Sequence, residues 1–191
     1  MDSDKEINVP DNIPRTADEI ARRALVVGAI ATVAFGDPPV PVIKWLEQEG
    51  LTKELTPNER TFLTDPSVEQ AQIDFSWKLE ALQVLMWSIN KLDSLADFDD
   101  QCDPEPMRDA IVFPPEPTLE FIASATLRDR DEIAVEYEKV YEAHWKARDA
   151  RINGKKTPRG IDPGVVYERH YGFNWIIGNE GQPWDEVTCD T

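Results

Sequence analysis

Both histidines of the chain stand in segments crowded with other reactive side chains. His144 begins the segment HWKARDAR, and His170 lies in the middle of YERHYGFNW further along. Imidazole titrates near neutral pH, so a pair of histidines could accept and donate protons in a reaction. A carboxyl group beside aromatic rings could assist them, because desolvation raises its pKa. Glu80 fits that description, since it falls between two tryptophans in the segment SWKLEALQVLMW.

The predicted helix over residues 129–153 places the first histidine on an inward-facing stripe. Residues three or four apart share one face of a helix. At that spacing the stripe consists of Ile133, Tyr137, Val140, Tyr141, His144, Arg148 and Arg151. An inward arginine needs an anion, because an unpaired buried charge costs several kcal/mol. We expect Glu80 to supply that anion to Arg148. The competing partners are Arg22, Arg23 and Arg169.

The last predicted helix, over residues 162–177, turns His170 toward the interior. Its apolar spacing predicts an inward face made of Val166, His170, Phe173 and Ile177. Glu168 and Arg169 fall on other faces of this helix. The two histidine segments are therefore expected to meet along the facing stripes of two adjacent helices.

These residues predict one candidate pocket with two interpretations. Its binding residues are Glu80, Tyr141, His144, Arg148, Tyr167 and His170. As a catalytic site it would belong to a hydrolase in which Glu80, His144 and His170 move protons. As a structural feature it would be a buried polar network that fixes the register of the helices. We favour the network, because structural ion pairs shift pKa values as active sites do.

Motifs for metals, nucleotides and covalent catalysis are absent from the sequence. Zinc needs three or four convergent ligands, whereas the chain offers two histidines and two distant cysteines, Cys102 and Cys189. A di-iron bundle would need ExxH pairs on two helices. No GxSxG, GxGxxG or GxxxxGK[ST] segment occurs. The sequence therefore predicts no metal and no cofactor.

The chain is strongly acidic, with a formal net charge of -17. Such a charge favours basic protein partners and disfavours nucleic acid and anionic membranes. Residues 93–109 concentrate acids that could dock a basic protein, although acidic loops are more often simply solvated. The residues predicted to contact a partner are Asp97, Asp99, Asp100, Asp103 and Glu105. Residues 146–159 concentrate bases, which could hold an anion but are expected to pair with the protein's own acids.

The elements that position these residues are predicted to be helices only. Capping boxes, in which a Ser or Thr precedes Glu or Gln by three residues, begin at Thr16, Thr56 and Ser67. No alternating apolar pattern bounded by turns predicts a strand. We expect an all-α, single-domain bundle of about seven or eight helices over residues 16–191, preceded by a flexible arm over residues 1–15.

The predicted location is the cytoplasm. The N-terminal segment lacks the basic and apolar regions of a signal peptide. The longest apolar run, ALVVGAIATVAF, is too short to cross a bilayer. Two widely separated cysteines fit a reducing compartment better than a disulfide scaffold.

Several separated segments carry a resemblance to a known family. They are EIARRALVVGAIA, WLEQEGL, SWKLEALQVLMW, HWKARDARING, GVVYERHYGFNWIIG and WDEVTCDT. In this order they resemble a bacterial family of uncharacterised proteins, domain of unknown function 4272, from about Arg15 to Thr191. The resemblance implies a single helical domain, and it supplies no reaction and no catalytic residue.

The expected function is that of an acidic protein-binding module. An immunity or antitoxin-like inhibitor, whose negative face covers a basic toxin, suits a small acidic helical protein without a catalytic motif. Electrostatic attraction would speed its association with the partner and make it sensitive to salt. The alternatives are the hydrolase described above and a purely structural accessory domain. No oligomeric state is predicted.

Overall fold

The computed structural model describes residues 9–111 and 116–191, which fold into helices joined by turns, with no strand in these ranges. The eight α-helices of the described ranges are α1 (Ala17–Ala34), α2 (Pro39–Gln48), α3 (Pro57–Thr64), α4 (Glu69–Ser88), α5 (Glu105–Ala110), α6 (Leu119–Ala123), α7 (Arg130–Ile152) and α8 (Pro163–Ile176). The predicted all-α fold of seven or eight helices is confirmed. None of the helices in the described part of the chain is both long enough and apolar enough to cross a bilayer.

Local sequence signals set the beginnings of several helices. At α1 and α3 the side chains of Thr16 and Thr56 accept hydrogen bonds from backbone N–H groups three residues on, and both predicted capping boxes form. The third predicted capping box does not form. Val68 is the residue before α4 and makes no side-chain cap, while the Ser67 hydroxyl donates to Asp65 Oδ1 at 2.6 Å. A neighbouring carboxylate has outcompeted the helix end for that hydroxyl.

The core consists of four long helices that pack side by side in the order α1, α4, α8, α7. In this arrangement α8 lies between α4 and α7, and every residue from 165 to 177 is buried except Tyr167. The contact between α4 and α8 is close at Gly172. A Cβ atom built there would lie 3.2 Å from the backbone oxygen of Ala81. Gly172 therefore permits the backbones of the two helices to approach.

The chain before α1 packs against the bundle as far as it is described. Val9 is 3% exposed, and the Arg130 guanidinium donates to its carbonyl oxygen. The Arg15 guanidinium stacks 4.6 Å from the centre of the Trp175 ring. Residues 9–15 of the predicted arm thus contact the bundle, and residues 1–8 lie outside the described ranges.

Candidate functional site

The two histidines meet between α7 and α8. His144 and His170 face each other with their Nδ1 atoms 2.8 Å apart, and their ring centres are 5.1 Å apart. Tyr141 stands edge-on to His170 at 5.5 Å, and Tyr167 stands edge-on to His144 at 5.6 Å. Four of the six residues predicted to bind thus form one aromatic cluster.

A chain of hydrogen bonds leads from this pair to the C-terminal segment. The Tyr137 hydroxyl donates to Asn174 Oδ1 at 3.0 Å, and Asn174 Nδ2 donates to the Thr188 carbonyl oxygen at 2.7 Å. Because the single proton of Tyr137 is used, its oxygen accepts from His170 Nε2, which lies 3.5 Å away. His170 therefore carries its proton on Nε2.

Both imidazoles are held in the neutral form. Burial lowers the pKa of His170 to about 3, assisted by the neighbouring His144. Burial also lowers the pKa of His144 to about 4, with Arg148 and Arg151 adding repulsion. Since neutral His170 is protonated on Nε2, its Nδ1 accepts and His144 Nδ1–H donates. This assignment leaves His144 Nε2 as an unprotonated acceptor.

His144 lines a cleft of about 790 Å³ between α7, α8 and the C-terminal segment. Three basic side chains line the cleft: Arg148, Arg151 and Lys155. Trp77 and Tyr167 form aromatic walls, and Tyr167 is 41% exposed. The stripe of α7 that was predicted to face inward is buried or half-buried as far as His144. Its last two members, Arg148 and Arg151, line this cleft instead.

The cleft has a proton acceptor but no activated nucleophile among its described residues. Cys189 lines the cleft, and burial raises the pKa of its thiol to about 12, so it stays protonated at neutral pH. Burial likewise raises the pKa of Tyr167. In the described ranges no group of three or more His, Cys, Asp and Glu side chains is placed to hold a metal ion. The arrangement suits binding and proton acceptance better than covalent catalysis.

Glu80 does not belong to this cluster. Its Oε2 accepts from Arg169 Nε at 2.9 Å, and its Oε1 accepts from the backbone N–H of Cys102 at 2.6 Å. The predicted pairing with Arg148 is wrong, and Arg169, one of the competitors, is the partner. Arg148 instead lies 3.8 Å from Asp190 at the protein surface.

The error came from the face assigned to Arg169. Successive residues of a helix project about 100° apart, so Arg169 and His170 cannot share a direction. On α8, however, both directions are buried, because α4 covers one side and α7 the other. His170 faces α7 and Arg169 faces α4, where Glu80 neutralises its charge.

The buried Arg169 also fixes the backbone of the acidic segment. Its two terminal nitrogens donate to the carbonyl oxygens of Ala96 and Asp97, the second at 3.1 Å. The Gln83 side chain accepts from Ala96 N–H at 3.2 Å. Together with the hydrogen bond from Cys102 N–H to Glu80, these contacts attach the backbone of residues 96–102 to α4 and α8, on the side of the segment that faces the bundle. We call residues 96–105 the acidic loop.

The carboxylates of the acidic loop point away from this attachment. Asp97, Asp99, Asp100, Asp103 and Glu105 are all exposed. None of them forms an ion pair with a base in the ranges that the structure describes. Asp97 and Asp99 also line a groove of about 1010 Å³ that separates the loop from α7. On the far wall of this groove, Asp131, Glu132 and Glu136 each pair with a basic neighbour.

Two other buried ion pairs were not predicted. Arg23 on α1 pairs with Glu59, whose other oxygen closes the capping box of α3. Lys78 pairs with Glu168 at 2.8 Å across α4 and α8. Arg23 lies in the apolar centre of α1, so its position was the available signal that it needs a buried anion. Glu168 gave no such signal, because it was assigned to a face of α8 other than the apolar one.

Comparisons with known proteins identify the family and no activity. A family model described as Domain of unknown function (DUF4272) matches residues 7–187. No curated protein and no solved structure matches the chain. A function must therefore be argued from the cleft and the acidic loop.

Proposed function

The chain belongs to the DUF4272 family, and we propose that it is an acidic binding module for a basic protein partner. The partner would contact the acidic loop and the groove beside it. The module would act in the cytoplasm as an inhibitor of the immunity or antitoxin type. The observation that carries this proposal is the construction of the acidic loop, whose backbone is fixed from beneath while its carboxylates face solvent.

On this proposal, the buried pair of Glu80 and Arg169 serves to hold the acidic loop in one conformation. Burying two charges is expensive, and a buried ion pair often stabilises a fold no more than apolar residues would. Arg169 uses its remaining donors to hold Ala96 and Asp97. A loop held in one conformation loses less entropy when it binds, so the pair would contribute to affinity through preorganisation.

The charges of the loop support the choice of a basic partner. Its five carboxylates lack basic partners within the described ranges, so they add to the field of a chain with net charge -17. An uncompensated patch speeds the encounter with an oppositely charged protein, and salt screens the effect. The groove of about 1010 Å³ beside the loop offers room for a protruding basic side chain or segment.

The geometry gives less support to the hydrolase that the sequence left open. Glu80 is 2% exposed and both of its oxygens accept strong hydrogen bonds, so it cannot reach a substrate. His144 and His170 keep a role in binding. A purely structural accessory domain would need no uncompensated, fixed patch of carboxylates.

The proposal is tested by capture from a lysate of the host cell with three versions of the tagged protein. The first is wild type. The second neutralises the acidic loop with the changes Asp97→Asn, Asp99→Asn, Asp100→Asn, Asp103→Asn and Glu105→Gln. The third is a matched control that removes the same number of charges from exposed positions elsewhere, with the changes Asp37→Asn, Glu47→Gln, Glu69→Gln, Glu138→Gln and Glu186→Gln.

We expect wild type and the control to capture the same basic protein at low ionic strength. Capture by the loop variant should be lost, and capture by wild type should fall at about 0.15 M salt because the Debye length shortens to about 8 Å. Equal capture by the loop variant would place the interface elsewhere. No enriched basic protein with any version would contradict the proposal.

A further inference from the structure

We infer that the cleft beside His144 is a second binding site, one that takes an organic phosphate monoester. This site is separate from the acidic loop and opposite to it in charge. The phosphate would lie against the basic side chains of α7 and the following turn. Its P–OH group would donate a hydrogen bond to His144. The organic part would lie between the aromatic walls.

The first observation is a local excess of positive charge in an acidic protein. Arg151 and Lys155 line the cleft, and neither forms an ion pair with any residue of the described ranges. The sequence had suggested that these bases pair with the protein's own acids. Of the six bases in residues 146–159, only Lys146 and Arg148 have such a partner among the described residues, Glu142 at 2.9 Å and Asp190 at 3.8 Å.

The acids that face the cleft do not cancel this charge. Glu168 already pairs with Lys78. Asp190 is the weak partner of Arg148, and its side chain is largely exposed. The N-terminus of α8 contributes nothing, because the Asp162 side chain accepts from the N–H groups of Gly164 and Val165. The unbalanced charges of the cleft are therefore those of Arg151 and Lys155.

The second observation is that His144 Nε2 is a hydrogen-bond acceptor without a donor among the described residues. His144 is 8% exposed, and its Nδ1 is engaged by His170. Its Nε2 has no hydrogen-bond partner within the described part of the chain, although the residue lines the cleft. As a neutral imidazole it can only accept there. A ligand that fits this position must donate a hydrogen bond to Nε2.

These two requirements select the ligand class. Arginine side chains suit phosphate and carboxylate oxygens, which they bind in a bidentate manner. A phosphate monoester loses its second proton near pH 6, so close to that pH it offers both negative charge and a P–OH donor. A carboxylate or a sulfate ester offers the charge without the proton. The cleft has the size of small-molecule sites, which span about 300–1,000 Å³, and Trp77 and Tyr167 can contact an apolar or aromatic group.

The test uses phenyl phosphate and phenyl sulfate, which share a shape and differ in the proton. The chain has only two histidines, so ring signals from histidine-labelled protein report on this site alone. Titrations are run at pH 5, where phenyl phosphate mostly keeps its second proton and carries one negative charge, as phenyl sulfate does. They are followed by these NMR signals, and affinities are measured by calorimetry. Inorganic phosphate is the third probe, to separate the contribution of the anion from that of the ring.

We expect phenyl phosphate to shift the His144 ring signals in a saturable manner and to bind at least about tenfold more tightly than phenyl sulfate. Inorganic phosphate should bind at the same site more weakly. Equal affinity for the two esters would overturn the role of His144 as acceptor. The absence of saturable shifts with any of the three probes would overturn the site.

Matched variants test the charges. Arg151→Gln should weaken phenyl phosphate about tenfold, whereas Arg159→Gln, an exposed arginine outside the cleft, should leave the affinity unchanged. Asp190→Asn should tighten binding, because it releases Arg148. All three positions are at least partly exposed, so the variants are expected to fold. Equal weakening by Arg151→Gln and Arg159→Gln would show a general charge effect and overturn the assignment of the anion to this cleft.

Discussion

His144 is the residue at which the core of the bundle meets solvent. One of its ring nitrogens contacts His170, and the residue lines the cleft. The two rings lie between α7 and α8, and neither contacts a carboxylate in the described ranges. The pair is thus unlike a histidine oriented by an aspartate, and burial rather than ionic pairing sets its protonation.

The hydrogen-bond chain makes a prediction about the two tautomers. His144 should carry its proton on Nδ1, and His170 should carry it on Nε2. The ring nitrogens of ¹⁵N-histidine-labelled protein distinguish the two forms directly. Replacing Tyr137 with Phe removes the acceptor for His170 and should change the His170 signals most. Two Nε2–H tautomers in the wild-type protein would contradict the network.

Neutral buried histidines also predict how stability depends on pH. In the unfolded chain both titrate near 6.5, whereas in the folded protein their pKa values are about 4 and about 3. Below 6.5 the unfolded chain therefore binds protons that the folded protein does not, and the free energy of unfolding falls as pH falls. The expected loss per histidine rises toward about 1.4 kcal/mol per pH unit as the pH falls well below 6.5.

Denaturant unfolding at pH 7, 6 and 5 measures this slope. Glu168 acts in the opposite direction, because burial raises the pKa of its carboxyl in the folded state. A His144→Gln/His170→Gln variant isolates the histidine contribution, and its slope should be distinctly shallower than that of wild type. Equal slopes would mean that the imidazoles are not held neutral.

At the scale of elements, α8 explains both the success and the failure of the sequence-based site prediction. The spacing of apolar residues correctly turned His144 and His170 toward each other. The same reasoning requires a helix to have an outer face, and α8 has almost none, because α4 and α7 cover it. Arg169, assigned to a face other than that of His170, is fully buried. The acidic loop that it holds could not be inferred from the periodicity of one helix.

The pair of Glu80 and Arg169 should matter to both the bundle and the acidic loop. Glu80→Gln leaves a buried guanidinium without its anion and should cost about 3–5 kcal/mol of unfolding free energy. Amide hydrogen exchange in residues 96–102 should accelerate in the same variant. The exposed change Glu138→Gln serves as the control for both measurements. Near-wild-type stability with unchanged exchange would show that the pair does not hold the loop.

The close contact of α4 and α8 gives a prediction at Gly172. Gly172→Ala would place Cβ 3.2 Å from Ala81 O and 3.3 Å from Ala81 Cα, and these backbone atoms cannot turn aside. Alanine favours the helix, but forced separation of packed helices costs more, so we expect a net loss of about 1 kcal/mol in the free energy of unfolding. Chemical denaturation measures the change, and a gain in stability would contradict the packing.

At the scale of the whole molecule, α7 connects two surfaces of opposite charge. Its N-terminal half forms a wall of the acidic groove, and its C-terminal half lines the basic cleft. The acids concentrated in residues 93–109 suggested the first surface. The bases concentrated in residues 146–159 were instead expected to pair with the protein's own acids, because the net charge is -17.

Fold class and most helix boundaries were accessible from the sequence because they depend on local signals. Capping at Thr16 and Thr56 and the apolar spacing of the long helices are properties of neighbouring residues. Partner choice among buried charges depends instead on which helices become neighbours. The order of the helices was therefore needed to choose the partner of Glu80 between the preferred Arg148 and its competitors Arg22, Arg23 and Arg169.

The central claim is that the acidic loop, and not the total charge, binds a basic partner. The most direct test is the association rate of the captured partner with wild type, the loop variant and the matched control at several salt concentrations. We expect the loop variant to associate about tenfold more slowly with a flatter salt dependence, and the control to behave nearly as wild type. If both variants slow association equally, only the overall charge matters and the account of the loop is wrong.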